Sequence, residues 1–242
     1  MKKRDFVGDY RRHSTQLKES HSEKEAMELG IGGEFAAMGK LEYYLLRQHG
    51  LTDASSVLDV GCGSGRLALQ LAQYGVGKYT GTDVVPDFLN HAQSLVSKEN
   101  FDFNLVEGLS IQEPDNCFDF VCFFSVMTHL QHHESYIYLA EAARVAASGG
   151  KIVISFLEYC IPSHWPIFQH VVDSNDPTVV LDQFVSRDAL EAWSEHLNLE
   201  IVGIFDGDKP HIDLSETITF DDGRTMEDRG HLGQSVVVFN KP

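Results

Sequence analysis

The sequence predicts a doubly wound α/β fold, with a mostly parallel seven-stranded sheet and helices on both faces. Three observations predict it. Short apolar runs alternate with stretches of helical period from Ser56 to Phe156. The first run ends in a glycine-rich turn that opens a helix pattern, and the second ends in an aspartate, Asp83.

Residues up to about Leu29 are polar and charged without a clear period, so residues 1–33 are read as an arm or a lid helix ahead of a domain spanning 34–242. Glu34 to Gln48 has helical spacing, with Met38, Leu41, Tyr44 and Leu45 on one face. Ser56 to Val60 is a buried strand, followed by Gly61-Cys62-Gly63-Ser64-Gly65 and a helix carrying Leu67, Ala68, Leu71 and Ala72. Gly75 and Gly77 stop that helix. Tyr79 to Asp83 is the second strand, and Pro86 opens a helix expected to reach about Lys98. Phe103 to Val106 is a short third strand.

Pro114-Asp115-Asn116 marks a turn before the apolar strand Phe118 to Phe124. Glu134 to Ala147 is a helix burying Leu139, Ala143 and Ala146, and Lys151 to Phe156 is the fifth strand. The stretch from Leu157 to Gln183, with Pro162, His164, Trp165, Pro166 and Pro177, is irregular; such a long connection is usually functional. Ser186 is placed to cap a helix lined by Leu190, Trp193 and Leu197. Ile201 to Phe205 and Ser235 to Phe239 are the late strands, separated by the polar Asp206 to Gln234 segment. Substrate loops are accordingly expected at 157–185 and 206–234.

Composition narrows the function classes. The 242 residues, 43% hydrophobic and 23% charged, are ordinary for a globular protein, and no run is long and apolar enough to span a membrane. Met1-Lys2-Lys3-Arg4 is basic like the start of a signal peptide, but polar residues follow, and a cytoplasmic location is expected. The net charge of −17 opposes a nucleic-acid partner. Cys62, Cys117, Cys122 and Cys160 form no CxxC pair or zinc spacing and read as free thiols; no metal is expected.

The glycine turn carries the chemistry. Glycines let backbone approach a ligand closely, and the helix that follows points its N–H groups at it. A dinucleotide fingerprint needs G-x-G-x-x-G, whereas here the third glycine is Gly65, one position early, with Arg66 where a small residue belongs. That spacing disfavours a nicotinamide-dependent oxidoreductase. Asp59, at the strand's carboxyl end, is placed to order the glycine loop or to meet a ligand's ammonium. Asp83 can accept two hydrogen bonds from vicinal hydroxyls.

Val57 to Arg66 resembles the first motif of class I (Rossmann-like) S-adenosylmethionine-dependent methyltransferases. Asp83 matches that family's acidic residue for the ribose hydroxyls. Pro114 to Val121 resembles its stretch entering the fourth strand, and Ala143-Arg144-Val145 through Gly149-Gly150-Lys151 its turn before the fifth. The resemblance covers Glu34 to Phe156 well and the final strands loosely. It implies S-adenosyl-L-methionine as cofactor, held by Asp59, Gly61, Cys62, Gly63, Gly65, Asp83, Val84, Leu109, Ser110 and Ser125. Within that set Val84 packs on the adenine and Leu109 and Ser110 lie near its edge, although Glu107-Gly108-Leu109 lacks the aspartate often found after the glycine. Ser125 to Leu130 falls at the family's methyl-transfer position.

On the substrate side, His129 is a candidate general base or a packing histidine, and His132, His133 and Glu134 read as a helix start. Phe35 and Trp165 are candidates to cover a substrate or to pack in the core, and His211 to complete the pocket. The implied activity is methyl transfer, with a small-molecule acceptor expected. The other readings are a protein or RNA methyltransferase and a non-catalytic cofactor-binding partner subunit. The oligomeric state is not legible.

Overall fold

A computed structural model describes residues 6–174 and 182–242. The strands follow the apolar runs: β1 (Ser56–Val60), β2 (Lys78–Asp83), β3 (Phe101–Leu105), β4 (Phe118–Phe123), β5 (Ala146–Phe156) and β6 (Glu200–Phe205). Four two-residue strands follow, β7 (Ile212–Asp213), β8 (Ile218–Thr219), β9 (Thr225–Met226) and β10 (Arg229–Gly230), before β11 (Ser235–Asn240). The main sheet has seven strands in the order β3-β2-β1-β4-β5-β11-β6. Only β11 runs against its neighbours, β5 and β6, so the sheet is mostly parallel as expected.

Side chains alternate across β1, and this alternation makes two cores. Val57 joins the cluster built with α3 (Phe35–Gln48) and α4 (Arg66–Tyr74), while Leu58 and Val60 join the one built with α6 (His132–Val145) and α8 (Arg187–Leu197). Helix α5 (Pro86–Leu95) packs on β2, β3 and α4. It ends at Leu95, short of Lys98, because Val96 is already extended at φ −127°. Ser186 takes the N-cap position of α8 without a side-chain capping bond.

Three segments without a readable period are ordered. The amino-terminal region forms α1 (Phe6–Ser20) and α2 (Glu23–Leu29), the latter opened by a Ser22–Glu25 capping box. Tyr10 and Leu17 of α1, one heptad apart, pack with Ile31 and Val84 against Ala26, Met27, Val85 and Phe88. The connection after β5 contains a 3₁₀ turn (Pro162–His164) and α7 (Trp165–Ser174), whereas Pro177 lies outside the described residues. The Asp206 to Gln234 segment places Ile212, Ile218, Phe220 and Leu232 in the core beside α3. Among the described residues no helix is long and apolar enough to cross a membrane.

Candidate active site

The first strand delivers the chain to a turn whose backbone only glycine adopts readily. Gly61, Gly63 and Gly65 have φ of +71°, +54° and +92°. A Cβ at Gly63 would stand 2.5 Å from Cγ2 of Ile31, and one at Gly65 2.8 Å from Cβ of Ala92. The N–H groups of Gly61 and Cys62 donate to the Thr82 carbonyl at 2.7 and 2.9 Å, stitching the turn to β2.

Asp83 buttresses the same turn. Its Oδ2 accepts from Gly63 N at 2.9 Å and its Oδ1 from Val85 N at 2.8 Å, with the residue 8% exposed. Burial raises its pKa to about 6 against the pull of these backbone donors. Asp59, 3% exposed, accepts from Tyr79 Oη at 2.8 Å, and burial followed by the charge of Glu42 lifts its pKa to about 7. Loop ordering therefore falls to Asp83, while Asp59, held by Tyr79, lines the cavity.

Arg66, the residue that breaks the dinucleotide spacing, has a structural partner. Its Nε donates to Glu42 Oε1 at 2.7 Å and its Nη1 to the Ile31 carbonyl at 3.1 Å. Glu42 is 1% exposed; burial raises its pKa and the Arg66 charge opposes the rise.

Beyond β4 the chain makes a second constrained turn. Ser125 is left-handed at φ +60°, a conformation that costs a non-glycine residue about 1–3 kcal/mol. Hydrogen bonds hold it there. Ser125 N donates to Ser155 Oγ at 2.7 Å, Gln234 Nε2 donates to Ser125 Oγ at 3.0 Å, and Ser155 Oγ donates to Gln234 Oε1 at 2.7 Å. The 3₁₀ turn Met127–His129 follows, and the His129 ring meets the Tyr10 ring edge-on at 5.1 Å.

The two turns and α1 enclose a cavity of about 780 Å³, within the range of small-molecule sites. Of the residues singled out from sequence, Asp59, Gly61, Cys62, Gly63, Asp83, Val84, Ser125 and His129 line it. Gly65 instead packs on α5, where its lack of a side chain lets the backbone of Ala92 come close. Leu109 packs with the α6 cluster and Ser110 Oγ accepts from Gln112. The turn before them is fixed by Tyr138 Oη donating to the Gly108 carbonyl at 2.8 Å, and Val106 and Tyr138 line the cavity there.

Phe35 and Trp165 do not line the cavity: Phe35 is half-buried at the start of α3, and Trp165 is 49% exposed against Phe168. His211 stacks on Phe205 at 4.9 Å, also away from it. Sequence reasoning missed Tyr10, His13, His170, Asp182 and Gln234, all of which line the cavity. The Tyr10–Leu17 spacing was the one signal available for α1. Arg11 Nε to the Val84 carbonyl at 3.0 Å and Lys18 Nζ to Asp87 Oδ2 at 2.9 Å dock that helix over the site.

Residues 57–150 match the family model described as a methyltransferase domain. This stretch is similar to a methyltransferase domain. The chain is 34% identical over 103 residues to ajmaline N-methyltransferase of Rauvolfia serpentina, covering 41% of this chain and 35% of that protein. It is also 30% identical over 131 residues to the ubiquinone biosynthesis O-methyltransferase of Hydrogenovibrio crunogenus, covering 52% and 53%. The chain thus spans about a third to about half of these relatives. Magnesium protoporphyrin IX methyltransferase of Synechocystis, solved with SAH bound, shares the fold around the methyltransferase domain, with a TM-score of 0.58 and 14% identity over 100% of this chain and 90% of that one.

Proposed function

We propose that the protein transfers a methyl group from S-adenosylmethionine to a small-molecule acceptor. The carrying observation is one cavity that joins the Asp83-buttressed glycine turn to the Ser125–His129 turn beneath α1. The residues present fit the cofactor. Each Asp83 oxygen accepts one backbone N–H and keeps a further lone pair for a ribose hydroxyl. The turn offers bare backbone at Gly61 and Gly63, Val84 lies beside it for the adenine, and the Asp59 carboxylate is available to an ammonium.

The bound sulfonium supplies an already activated methyl group, so the chain's work is alignment and exclusion of water. Helix α1 roofs the cavity with Tyr10, His13 and Gln16. The hydrogen-bonded Ser125 turn sets the position of His129, whose neutral imidazole can take a proton from the acceptor. The small-molecule reading is supported by the mostly apolar cavity, by the net charge of −17 against nucleic acid, and by the acceptors in the relatives' names. Calorimetric titration with S-adenosylmethionine, followed by a labelled-methyl screen over small acceptors, tests the proposal. No heat with either S-adenosylmethionine or its demethylated product overturns it.

A further inference from the structure

Ser125, Ser155 and Gln234 lie just past β4, in β5 and just before β11, and their side chains meet at the wall of the cavity. Their hydrogen bonds have one consistent direction. The Ser125 N–H can only donate, and Ser155 Oγ accepts it at 2.7 Å. Ser155 is 2% exposed, and its own hydrogen goes to Gln234 Oε1 at 2.7 Å. Turning the Gln234 amide over would set an N–H against Ser155 and take away the acceptor of that buried hydroxyl, which is costly. The amide oxygen therefore faces Ser155 and the nitrogen faces Ser125, whose Oγ accepts from Nε2 at 3.0 Å. A hydroxyl that accepts on this side keeps its hydrogen for elsewhere. Ser125 and Gln234 both line the cavity, so the Ser125 O–H and the second N–H of the amide are left for it.

The chain on either side of Gln234 is clamped. Ser235 Oγ donates to Glu158 Oε1 and accepts from Gly207 N at 3.1 Å. Glu158 is 1% exposed and is gripped by Arg187 through Nε at 2.8 Å and Nη2 at 2.7 Å. On the other side the Gly233 carbonyl lies 3.1 Å from Nε2 of the fully buried His164. Nδ1 of that ring accepts from Glu158 N at 3.0 Å, so Nε2 carries the hydrogen and donates to Gly233. Glu158, His164 and Arg187 do not line the cavity; they fix the backbone that carries the amide.

We propose that Gln234 is a positioning residue that turns the Ser125 hydroxyl outward, so that the transfer turn presents a hydrogen-bond donor to an oxygen lone pair of a bound molecule. This rests on the methyl-transfer reading above. A donor aimed before the ligand arrives costs no reorganisation when it binds. The cofactor's ammonium, a donor itself, cannot take this bond. Its carboxylate can, and so can an oxygen on the methyl acceptor.

The test is calorimetry with three probes: S-adenosylhomocysteine alone, then acetophenone and ethylbenzene on protein saturated with it. Ethylbenzene is the acetophenone frame without the oxygen. Ser125→Gly removes the hydroxyl and keeps the turn, because glycine adopts the left-handed φ of +60° without strain. It is expected to melt no lower than wild type and to bind S-adenosylhomocysteine or acetophenone about fivefold or more weakly, with ethylbenzene unchanged. The ligand that loses names the source: S-adenosylhomocysteine for the cofactor's carboxylate, acetophenone for an acceptor oxygen. Gln234→Glu leaves the hydroxyl in place but offers it a carboxylate, which accepts only and turns the hydrogen away from the cavity. It is expected to reproduce the loss, and the two losses are not expected to multiply in the double variant. No loss for either ligand in Ser125→Gly (absence of acetophenone binding included), an equal loss for ethylbenzene, or losses that multiply overturns the inference and leaves methyl transfer standing. Failure of S-adenosylhomocysteine to bind the wild-type protein overturns both.

Discussion

Arg66 Nε lies 2.7 Å from Glu42 Oε1, a buried ion pair that ties the first residue of α4 to α3 directly behind the glycine turn. At 9% and 1% exposure the two charges are removed from water together. Neither is tolerable alone.

Arg66→Ala is therefore expected to destabilise the fold by about 3–5 kcal/mol, the usual result of stranding one half of a buried pair. The penalty should depend on pH. Burial already raises the Glu42 pKa and Arg66 opposes the rise, so without Arg66 the folded-state value moves further above the unfolded one. A carboxyl raised on folding costs stability as pH climbs through its folded value. Urea denaturation should find the Arg66→Ala deficit larger at pH 8 than at pH 5. A deficit independent of pH would assign the cost to lost packing instead.

Asp83→Ala should weaken S-adenosylmethionine binding by about 1.5–3 kcal/mol, the worth of hydrogen bonds to a charged group. Because Asp83 also accepts from Gly63 and Val85, the melting temperature should fall as well. Asp83→Asn, which keeps a side-chain acceptor, should recover part of both losses. Titration calorimetry and thermal melts on the two variants separate the roles; unchanged affinity in Asp83→Ala would remove it from the binding site.

Gly63→Ala tests the turn without touching charge. At φ +54° an L residue is strained by about 1–3 kcal/mol, and its Cβ would press on Ile31 at 2.5 Å. The expected outcome is a lower denaturation midpoint and a weaker cofactor titration. Wild-type values for both would mean that the turn relaxes freely.

How much of this was readable from sequence follows from where period and local chemistry survive. The strands from Ser56 to Phe156 are apolar because both sheet faces are covered, and Asp83 and the glycines are set by local backbone needs, so they announce themselves. Tyr10, Asp182 and Gln234 do not. They reach the cavity by tertiary packing, from 49 residues before Asp59 and from 123 and 175 residues after it.

 Gln234, for instance, bonds Ser125 Oγ across 109 residues of chain. Tyr10 sits on a mostly polar helix that gives only Tyr10 and Leu17 to the cluster beneath it, and it meets His129 through packing that no local pattern encodes. Phe35 and Trp165 illustrate the converse: aromatic identity alone does not aim a ring at a site.

Cofactor binding should strengthen as pH rises through neutrality. Asp59 titrates at about 7 because of burial and the charge of Glu42, and Asp83 at about 6 because of burial, while Tyr79 and Arg66 pull Asp59 the other way. Both values lie above those of unfolded carboxylates, near 3.9. The folded protein without ligand thus holds more protons than the unfolded chain between about pH 4 and 7, and its stability falls as pH rises across that window. A cationic ligand prefers the ionised carboxylates, so binding expels protons. At pH 6.5, calorimetry in buffers of different ionisation enthalpy should record proton release, and affinity should rise from pH 5.5 to 7.5. A flat profile would mean that neither carboxylate meets the ligand's charge.

The Tyr10–His129 contact separates roofing from chemistry. Tyr10 belongs to α1 and packs on the cluster beside Val84, whereas His129 belongs to the turn after β4. Their rings meet edge-on at 5.1 Å, so each can be removed while the other's backbone stays in place. If His129 takes the acceptor's proton, His129→Ala should lower turnover by roughly 10²–10⁴-fold with cofactor affinity nearly preserved. Tyr10→Ala should act differently, because removing a half-buried ring from the roof opens the cavity to water and loosens α1. Its expected signature is weaker cofactor binding and faster hydrogen exchange in residues 6–20, with Tyr10→Phe restoring both. Single-turnover methyl transfer, cofactor titration and exchange mass spectrometry on the three variants make the comparison. Full turnover in His129→Ala would leave that residue a packing role, and unchanged exchange in Tyr10→Ala would mean that α1 is held by Arg11 and Lys18 alone.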